Sequence, residues 1–194
     1  PYIRLSPWSP QVRQQVTEIY EDLARYASFN GILFHDDAVL TDVDDAGQDT
    51  TRQKSQRLIG FTRTLSQAVK NIRGPQIKTA RNMFALPILE PESEAWFAQN
   101  LDDFLAAYDW TVPMAMPLME SVPAEESNAW LTRLVKAVAA RPGALNKTIF
   151  ELQARDWAQK PQRAVADERL VEWMRVLQLN VIKNYGYYPD DFLN

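Results

Sequence analysis

The chain has 194 residues, a hydrophobic content of 46% and a formal net charge of −4, which is enough sequence for one domain with a sizeable core. The acidic balance and the absence of a basic run argue against nucleic acid as a partner. No apolar stretch is long enough to span a bilayer, and with no cysteine there is neither a disulfide framework nor thiol chemistry.

The chain opens at Pro1 with no methionine or signal peptide, and reads as an excised fragment or a mature segment. Tyr2 to Leu5 is short and extended. Ser9 is a good N-cap and Pro10 fits a first helical position, and Val12, Val16, Ile19, Tyr20 and Leu23 recur at helical spacing to about Ala27. Gly31 to Asp37 follows, with four apolar residues running into the only histidine and two carboxylates. It predicts a strand covered on both faces, as in a parallel sheet. Thr41 to Thr50 is acidic and predicts an exposed loop. Leu58, Phe61, Leu65 and Val69 mark a helix that stops near Gly74 and Pro75.

Gln76 to Leu86 reads as the second strand. Pro91 and Glu92 open a helix running through Trp96, Leu101, Phe104 and Leu105. Thr111 to Met116 is the third strand, made irregular by Pro113 and Pro117. Asn128 to Ala140 is helical, Lys147 to Leu152 is the fourth strand, Asp167 to Leu179 is helical, and Asn180 to Tyr185 is the fifth strand. This alternation predicts right-handed βαβ units and an α/β fold with a parallel sheet. No glycine-rich phosphate loop follows any strand, which disfavours nucleotide binding. Five units are too few for a closed eight-stranded barrel of ~250 residues. The sheet is therefore either open or the later part of a (β/α) barrel.

If the strands are parallel, their C-terminal ends gather one set of side chains. These are His35, Asp36 and Asp37; Arg81 and Asn82; Glu120; Glu151, Asp156 and Trp157; and Tyr185, Tyr187 and Tyr188. Carboxylates, amides and aromatic rings together suit a carbohydrate site. Carboxylates serve as acid, base or nucleophile, amides bond hydroxyls, and rings stack on sugar faces. Each has a plainer explanation. His35 could be a hydrogen-bonded core histidine. Glu151 could pair with Arg81 or Arg155, since a buried unpaired carboxylate is costly. Met114, Met116 and Met119 suit core packing, as do Trp96 and Trp130 on their helices, whereas Trp157 follows a polar segment and should be exposed. The His35-Asp36-Asp37 spacing matches no standard metal-ligand motif, so no metal or other cofactor is expected.

Several stretches together resemble a known family. They are Gly31-Ile-Leu-Phe-His-Asp-Asp-Ala-Val-Leu, Lys78-Thr-Ala-Arg-Asn, Glu94-Ala-Trp-Phe-Ala-Gln-Asn, Met114-Ala-Met-Pro, Phe150-Glu-Leu-Gln-Ala-Arg-Asp-Trp and Asn184-Tyr-Gly-Tyr-Tyr-Pro-Asp. They resemble the C-terminal, glycoside-hydrolase-like domain of the bacterial poly-β-1,6-N-acetylglucosamine N-deacetylases of biofilm polysaccharide export. The resemblance covers nearly the whole chain. It implies a TIM-like (β/α) barrel, incomplete here because the family's first strands precede Pro1, and a single partial domain over residues 1–194. It implies endo-cleavage of partly deacetylated poly-glucosamine in the periplasm at the outer membrane. The partners it implies are the polysaccharide, the deacetylase domain of the same protein and an outer-membrane exporter. The family's catalytic acid falls within Asp36-Asp37, and its sugar-contacting aromatics match Tyr2, Trp96 and Trp157. Nothing here resembles the metal-binding motifs of the deacetylase domain, and the segment from Thr41 to Thr51 is shorter than the family's loop.

Two functions follow. In the first, the chain is an endo-acting glycoside hydrolase with Asp36, Asp37 and Glu151 as catalytic candidates and Tyr2, His35, Asn82, Trp96, Trp157, Tyr185 and Tyr187 binding substrate. In the second, it is a non-catalytic carbohydrate-binding module that guides the polymer. A partner carboxylate at ~5 Å or ~6.5–9.5 Å from the acid marks the enzyme.

Overall fold

The structure is a computed structural model, and it describes residues 5–35 and 49–189. Helix α1 (Pro10–Tyr26) starts as the sequence predicts: the Ser9 hydroxyl accepts from the Val12 N–H at 3.3 Å, and Pro10 has no N–H to orphan. Strand β1 is Gly31–Phe34. Helix α2 (Thr51–Arg73) begins at a capping box, in which Thr50 Oγ1 accepts from the Gln53 N–H at 3.3 Å and Gln53 Oε1 accepts from the Thr50 N–H at 2.8 Å. It ends at Gly74, whose φ of +100° suits glycine.

Strand β2 (Lys78–Met83) leads into helix α3 (Leu86–Leu89), a 3₁₀ turn at Pro91–Ser93, helix α4 (Glu94–Phe97) and helix α5 (Leu101–Ala107). Strand β3 (Trp110–Ala115) precedes helix α6 (Ser127–Ala139), and a 3₁₀ turn at Ala144–Lys147 precedes strand β4 (Phe150–Gln153). Strands β5 (Arg155–Asp156) and β6 (Arg163–Ala164) form a small antiparallel hairpin. Helix α7 (Asp167–Leu179) and strand β7 (Tyr185–Tyr188) complete the order.

The main sheet has five strands in the order β1-β2-β3-β4-β7. Gly31 faces Lys78 and Phe34 faces Arg81; Met114 faces Glu151; Phe150 faces Tyr185 and Gln153 faces Tyr188, all in parallel register. This is the incomplete TIM-like α/β barrel that the strand–helix alternation and the resemblance lead one to expect. Gly31 is required by close approach, because a Cβ there would sit 3.0 Å from the Lys78 carbonyl oxygen.

The chain divides into two compact units, Pro1–Arg81 with Glu94–Asp109, and Asn82–Ser93 with Trp110–Asn194. Strand β2 passes from one to the other. In the first unit α1 lies on α2, and Ala24, Val69 and Ile77 form a buried cluster with Tyr20, Phe29 and Ile32 against it. Phe34, Phe104 and Tyr108 pack ring on ring, and the Tyr108 hydroxyl lies 2.6 Å from Thr62 Oγ1. In the second unit Trp173 is fully buried and its indole N–H donates to Ser127 Oγ at 2.9 Å, which in turn donates to the Ala124 carbonyl at 2.7 Å. A buried indole thus keeps its polar edge satisfied.

Four expectations are corrected. Strand β1 is not covered on both faces: its side chains alternate, with Phe34 buried at 3% exposure and Leu33, on the opposite face, 46% exposed. The helix opened by Pro91 is broken, since Ala98 takes a positive φ of 51° and Asn100 caps a new helix by accepting from the Asp103 N–H at 2.9 Å. Trp96, on the short α4, is 52% exposed rather than core. The fifth strand starts only at Tyr185, because Ile182 N–H still bonds back to Leu177 O at 3.0 Å and Val181 turns the chain with a φ of 60°.

Asp109 ties the end of α5 to the start of β2. Its carboxylate accepts from the Thr79 N–H at 2.9 Å, the Thr79 hydroxyl at 3.1 Å and Lys78 Nζ at 3.1 Å. Burial pushes this carboxyl up, but those donors outweigh it and hold it below the ordinary carboxylate value. A depressed carboxyl contributes stability above its unfolded value and loses it as pH falls through the folded one. Asp109→Asn is therefore expected to cost on the order of 1 kcal/mol at neutral pH. In urea unfolding as a function of pH, the gap to wild type should narrow as pH falls below the ordinary aspartate value.

Candidate active site

Strand β4 sorts its side chains by parity. Phe150 and Leu152 are fully buried in the core. Glu151 and Gln153 face the other way, sharing their face with Gly186 and Tyr188, their register partners on β7. Glu151 is half-buried and accepts from Asn82 Nδ2 at 2.7 Å. Asn82 is fully buried, and its own amide oxygen has no hydrogen-bond partner. Gly186, opposite Glu151, would meet nothing within 4 Å if it carried a Cβ. The carboxylate thus stands beside open space, next to a buried acceptor still waiting for a donor.

Gln153, also fully buried, shapes the loop after β3. Its Oε1 accepts from the Leu118 and Met119 N–H groups at 2.7 and 3.1 Å, and its Nε2 donates to the Arg155 carbonyl at 2.9 Å. That loop places Glu120 in a cavity of about 340 Å³ with Glu90, Trp130 and Arg133. Burial first, and then the nearby charge of Glu90, pushes the Glu120 carboxyl above its ordinary value. Met114 and Met116 are core as expected, and Met119 is half-buried in this same loop.

The aromatic residues divide. Trp157 is half-buried and stacks on Tyr188, with ring centroids 6.2 Å apart and planes at 29°. Tyr188 sits at the C-terminal end of β7. Tyr185 opens that strand opposite Phe150, and its hydroxyl accepts from Gln178 Nε2 at 2.8 Å. It therefore lies at the other end of the strand from the rim where sequence reading put it. Tyr187 is 45% exposed, on the face of Phe150 and Leu152 rather than of Glu151. Asp156 is half-buried and holds a turn by accepting from the Ala158 N–H at 3.0 Å.

In the first unit His35 is half-buried, and its carbonyl accepts from Arg81 Nη1 at 3.2 Å. Trp96 is exposed there. Tyr2, Asp36, Asp37 and the expected short loop from Thr41 onward lie outside the described residues, apart from Asp49, Thr50 and Thr51. Among the described residues no group of three or more His, Cys, Asp or Glu side chains converges in a way that could hold a metal ion. Sequence reasoning gathered Gln153 and Tyr188 at the strand ends without giving either a role in the site, and it missed Gly186. That all three share a face with Glu151 rests on parity in a register that the sequence does not display.

A family profile described as "Hypothetical glycosyl hydrolase family 13" (GHL13) matches residues 1–54 and 48–188. The chain belongs to the GHL13 family. Two relatives are proteins called poly-beta-1,6-N-acetyl-D-glucosamine N-deacetylase, from Escherichia coli strain K12 and from E. coli O157:H7. Each is 48% identical over 220 residues, covering 100% of this chain and 33% of the relative. Among solved structures, the PgaB (BpsB) glycoside hydrolase domain from Bordetella bronchiseptica matches with a TM-score of 0.89 at 40% identity, covering 98% of this chain and 60% of that one. This GHL13 chain thus spans a third of the length of the E. coli proteins. The motif resemblance and the comparisons identify the same relatives, and the fold is that of a glycoside hydrolase domain. No described helix is long and apolar enough to cross a membrane.

Glu120 gives a pH signature. A carboxyl raised in the folded state leaves stability intact below its unfolded value and erodes it as pH rises through the folded one. Glu120→Gln should therefore unfold at higher urea than wild type at neutral pH. The two should converge as pH falls well below the ordinary glutamate value of about 4.3, where the glutamate becomes protonated in both states.

Proposed function

We propose that this chain is an endo-acting glycoside hydrolase domain for partly de-N-acetylated poly-β-1,6-N-acetyl-D-glucosamine. The observation that carries the reading is the Glu151–Asn82 pair: a half-buried carboxylate oriented by an amide at 2.7 Å, with the amide oxygen orphaned and open space across at Gly186. A sugar hydroxyl or ammonium donating to Asn82 would satisfy that oxygen, and buried acceptors are costly to leave unmade. The stacked Trp157 and Tyr188 supply a ring face for a pyranose. The names of the E. coli and Bordetella relatives support both the substrate and the reaction class.

In this reading Asp36 or Asp37 is the acid that protonates the glycosidic oxygen as the bond breaks. Glu151 is the second carboxylate, stabilising positive charge at the anomeric carbon or activating water. Asn82 and His35 position the sugar. Tyr2, Trp96 and Trp157 contact it along the polymer, whereas Tyr187, on the other face of its strand, is left out of the path. The chain works as one partial-barrel domain beside a deacetylase domain of the same protein, handing polymer toward an outer-membrane exporter from the periplasm.

The test is product analysis by mass spectrometry after incubation with partly deacetylated polymer. Glu151→Gln, and Asp36→Asn or Asp37→Asn, should each lower the cleavage rate by roughly 10²–10⁴-fold, with unchanged thermal melting. Full activity in all three variants would remove the assigned carboxylates from the mechanism. Tight polymer binding without products from the unaltered chain would make it a carbohydrate-binding module instead.

Ligand choice is a separate prediction. A glucosamine ammonium gains from nearby carboxylates and, over an indole face, roughly 0.5–2 kcal/mol. Deacetylated oligomers should therefore bind more tightly than acetylated ones by calorimetry. That preference should shrink as salt is raised, because exposed charges are screened over ~8–10 Å. Trp157→Ala should weaken both ligands.

A further inference from the structure

The first unit holds a second polar cavity, of about 260 Å³, that the assignments above do not use. Its walls include Arg52 and Ser55 of α2, Glu94 of α4, and Asn100, Asp102 and Asp103 around the start of α5. Helix α2 follows β1 and residues 94–103 follow β2, so these walls come from segments that succeed strand C-termini. That is the side on which barrel enzymes keep their substrates.

The cavity is built rather than incidental. Asn100 Oδ1 accepts from the Asp103 N–H at 2.9 Å while its Nδ2 donates to Glu94 Oε1 at 2.8 Å, so one side chain fixes both walls. Two oxygens of its lining are nevertheless unsatisfied. Ser55 is 1% exposed, yet its hydroxyl has no hydrogen-bond partner. Asp103 Oδ2 is buried and equally without one. The other oxygen of Asp103 lies 3.9 Å from Arg52, whose side chain is 84% exposed, and an ion pair that open to water is weak. Leaving buried polar atoms unpartnered costs stability.

The chemistry of the lining narrows the occupant. Three carboxylates face one guanidinium, so an anion is repelled. An apolar ligand would leave Ser55 and Asp103 unpaired. No group of described carboxylates converges on a metal position; the acidic groups are spread round a volume several times the ~30 Å³ share of a water molecule. A neutral-bodied ligand with one ammonium and several hydroxyls answers each of these conditions.

We propose that this cavity is a binding subsite for a single β-1,6-linked glucosamine unit, with Asp103 receiving its ammonium and Ser55 one of its hydroxyls. The proposal rests on the polymer reading above. It adds a place where deacetylated and acetylated units are told apart: an acetamide has no charge to offer Asp103 and a larger substituent to fit.

Calorimetric titration of a β-1,6-glucosamine tetramer and its fully N-acetylated counterpart tests it. The unaltered chain should bind the deacetylated tetramer more tightly. Asp103→Asn should weaken that binding on the order of tenfold or more and barely change the acetylated tetramer, because it removes charge and keeps shape. Ser55→Ala should weaken binding by several-fold. It should melt no lower than wild type in the absence of sugar, since it deletes an unsatisfied hydroxyl. Variants that fold like wild type and bind both tetramers unchanged would make the cavity a water-filled gap and overturn the subsite alone. Failure of the unaltered chain to bind either tetramer would overturn the polymer reading itself.

Discussion

Strand β2 buries an arginine and an asparagine side by side, both at 0% exposure, and much of the arrangement follows from what those two groups require. Neighbouring residues on a strand point to opposite faces, so the two needs are met in different places. In the first unit the Arg81 guanidinium lies 5.6 Å from the Phe104 ring centroid and donates to the His35 carbonyl. It thereby holds the backbone just past the end of β1. In the second unit Asn82 donates to Glu151 and orients that carboxylate. Buried polar groups without partners are heavily penalised, so this strand cannot slip by one residue without stranding a charge. The same requirement that sets its register also aims a carboxylate.

Much of the fold is legible because the sequence repeats one signal: an apolar strand, a polar break, an amphipathic helix. Ser9-Pro10 marks a helix start by local chemistry alone, and the bounds of α7 at Asp167 and Leu179 follow from its apolar spacing. Less legible are elements whose bounds are set by contacts distant in sequence. The β5–β6 hairpin has strands of two residues, too short to show any periodicity. The break after Phe97 depends on a positive φ at Ala98, a residue type that carries no warning of it. The late start of β7 depends on a helix-end turn through Val181 and Ile182 that apolar composition hides.

The site is legible in composition and not in direction. A glutamate inside an apolar strand and an asparagine beside an arginine stand out in the sequence, since burying either demands a partner. Which tyrosine shares a face with Glu151 does not stand out. A one-residue change of register exchanges Tyr187 for Tyr188, and only the pairing of Gln153 with Tyr188 decides it. Glu120 is illegible for a related reason, because its environment comes from Glu90 on a separate loop and from the floor that Trp130 supplies.

Unsatisfied buried atoms are not in themselves evidence of function. Thr111 Oγ1 and Asn128 Oδ1 are orphaned too, and neither lines a cavity described above. An orphan gains meaning when three conditions meet: its residue is held in place by other bonds, it borders open space, and the surrounding charge selects a ligand. Asn82 meets the first two through Glu151 and Gly186. Asp103 meets the first through the Asn100 clamp, and both Ser55 and Asp103 meet the second through the cavity and the third through its acidic walls. Proteins that keep such defects give up stability at those points, and the compensation must come from something bound. On the proposed reading, a cationic, hydroxyl-rich polymer would supply it with an ammonium and a hydroxyl. Under that reading the carboxylates at these points favour a deacetylated sugar over an acetylated one, because only the former carries a charge to pair with them.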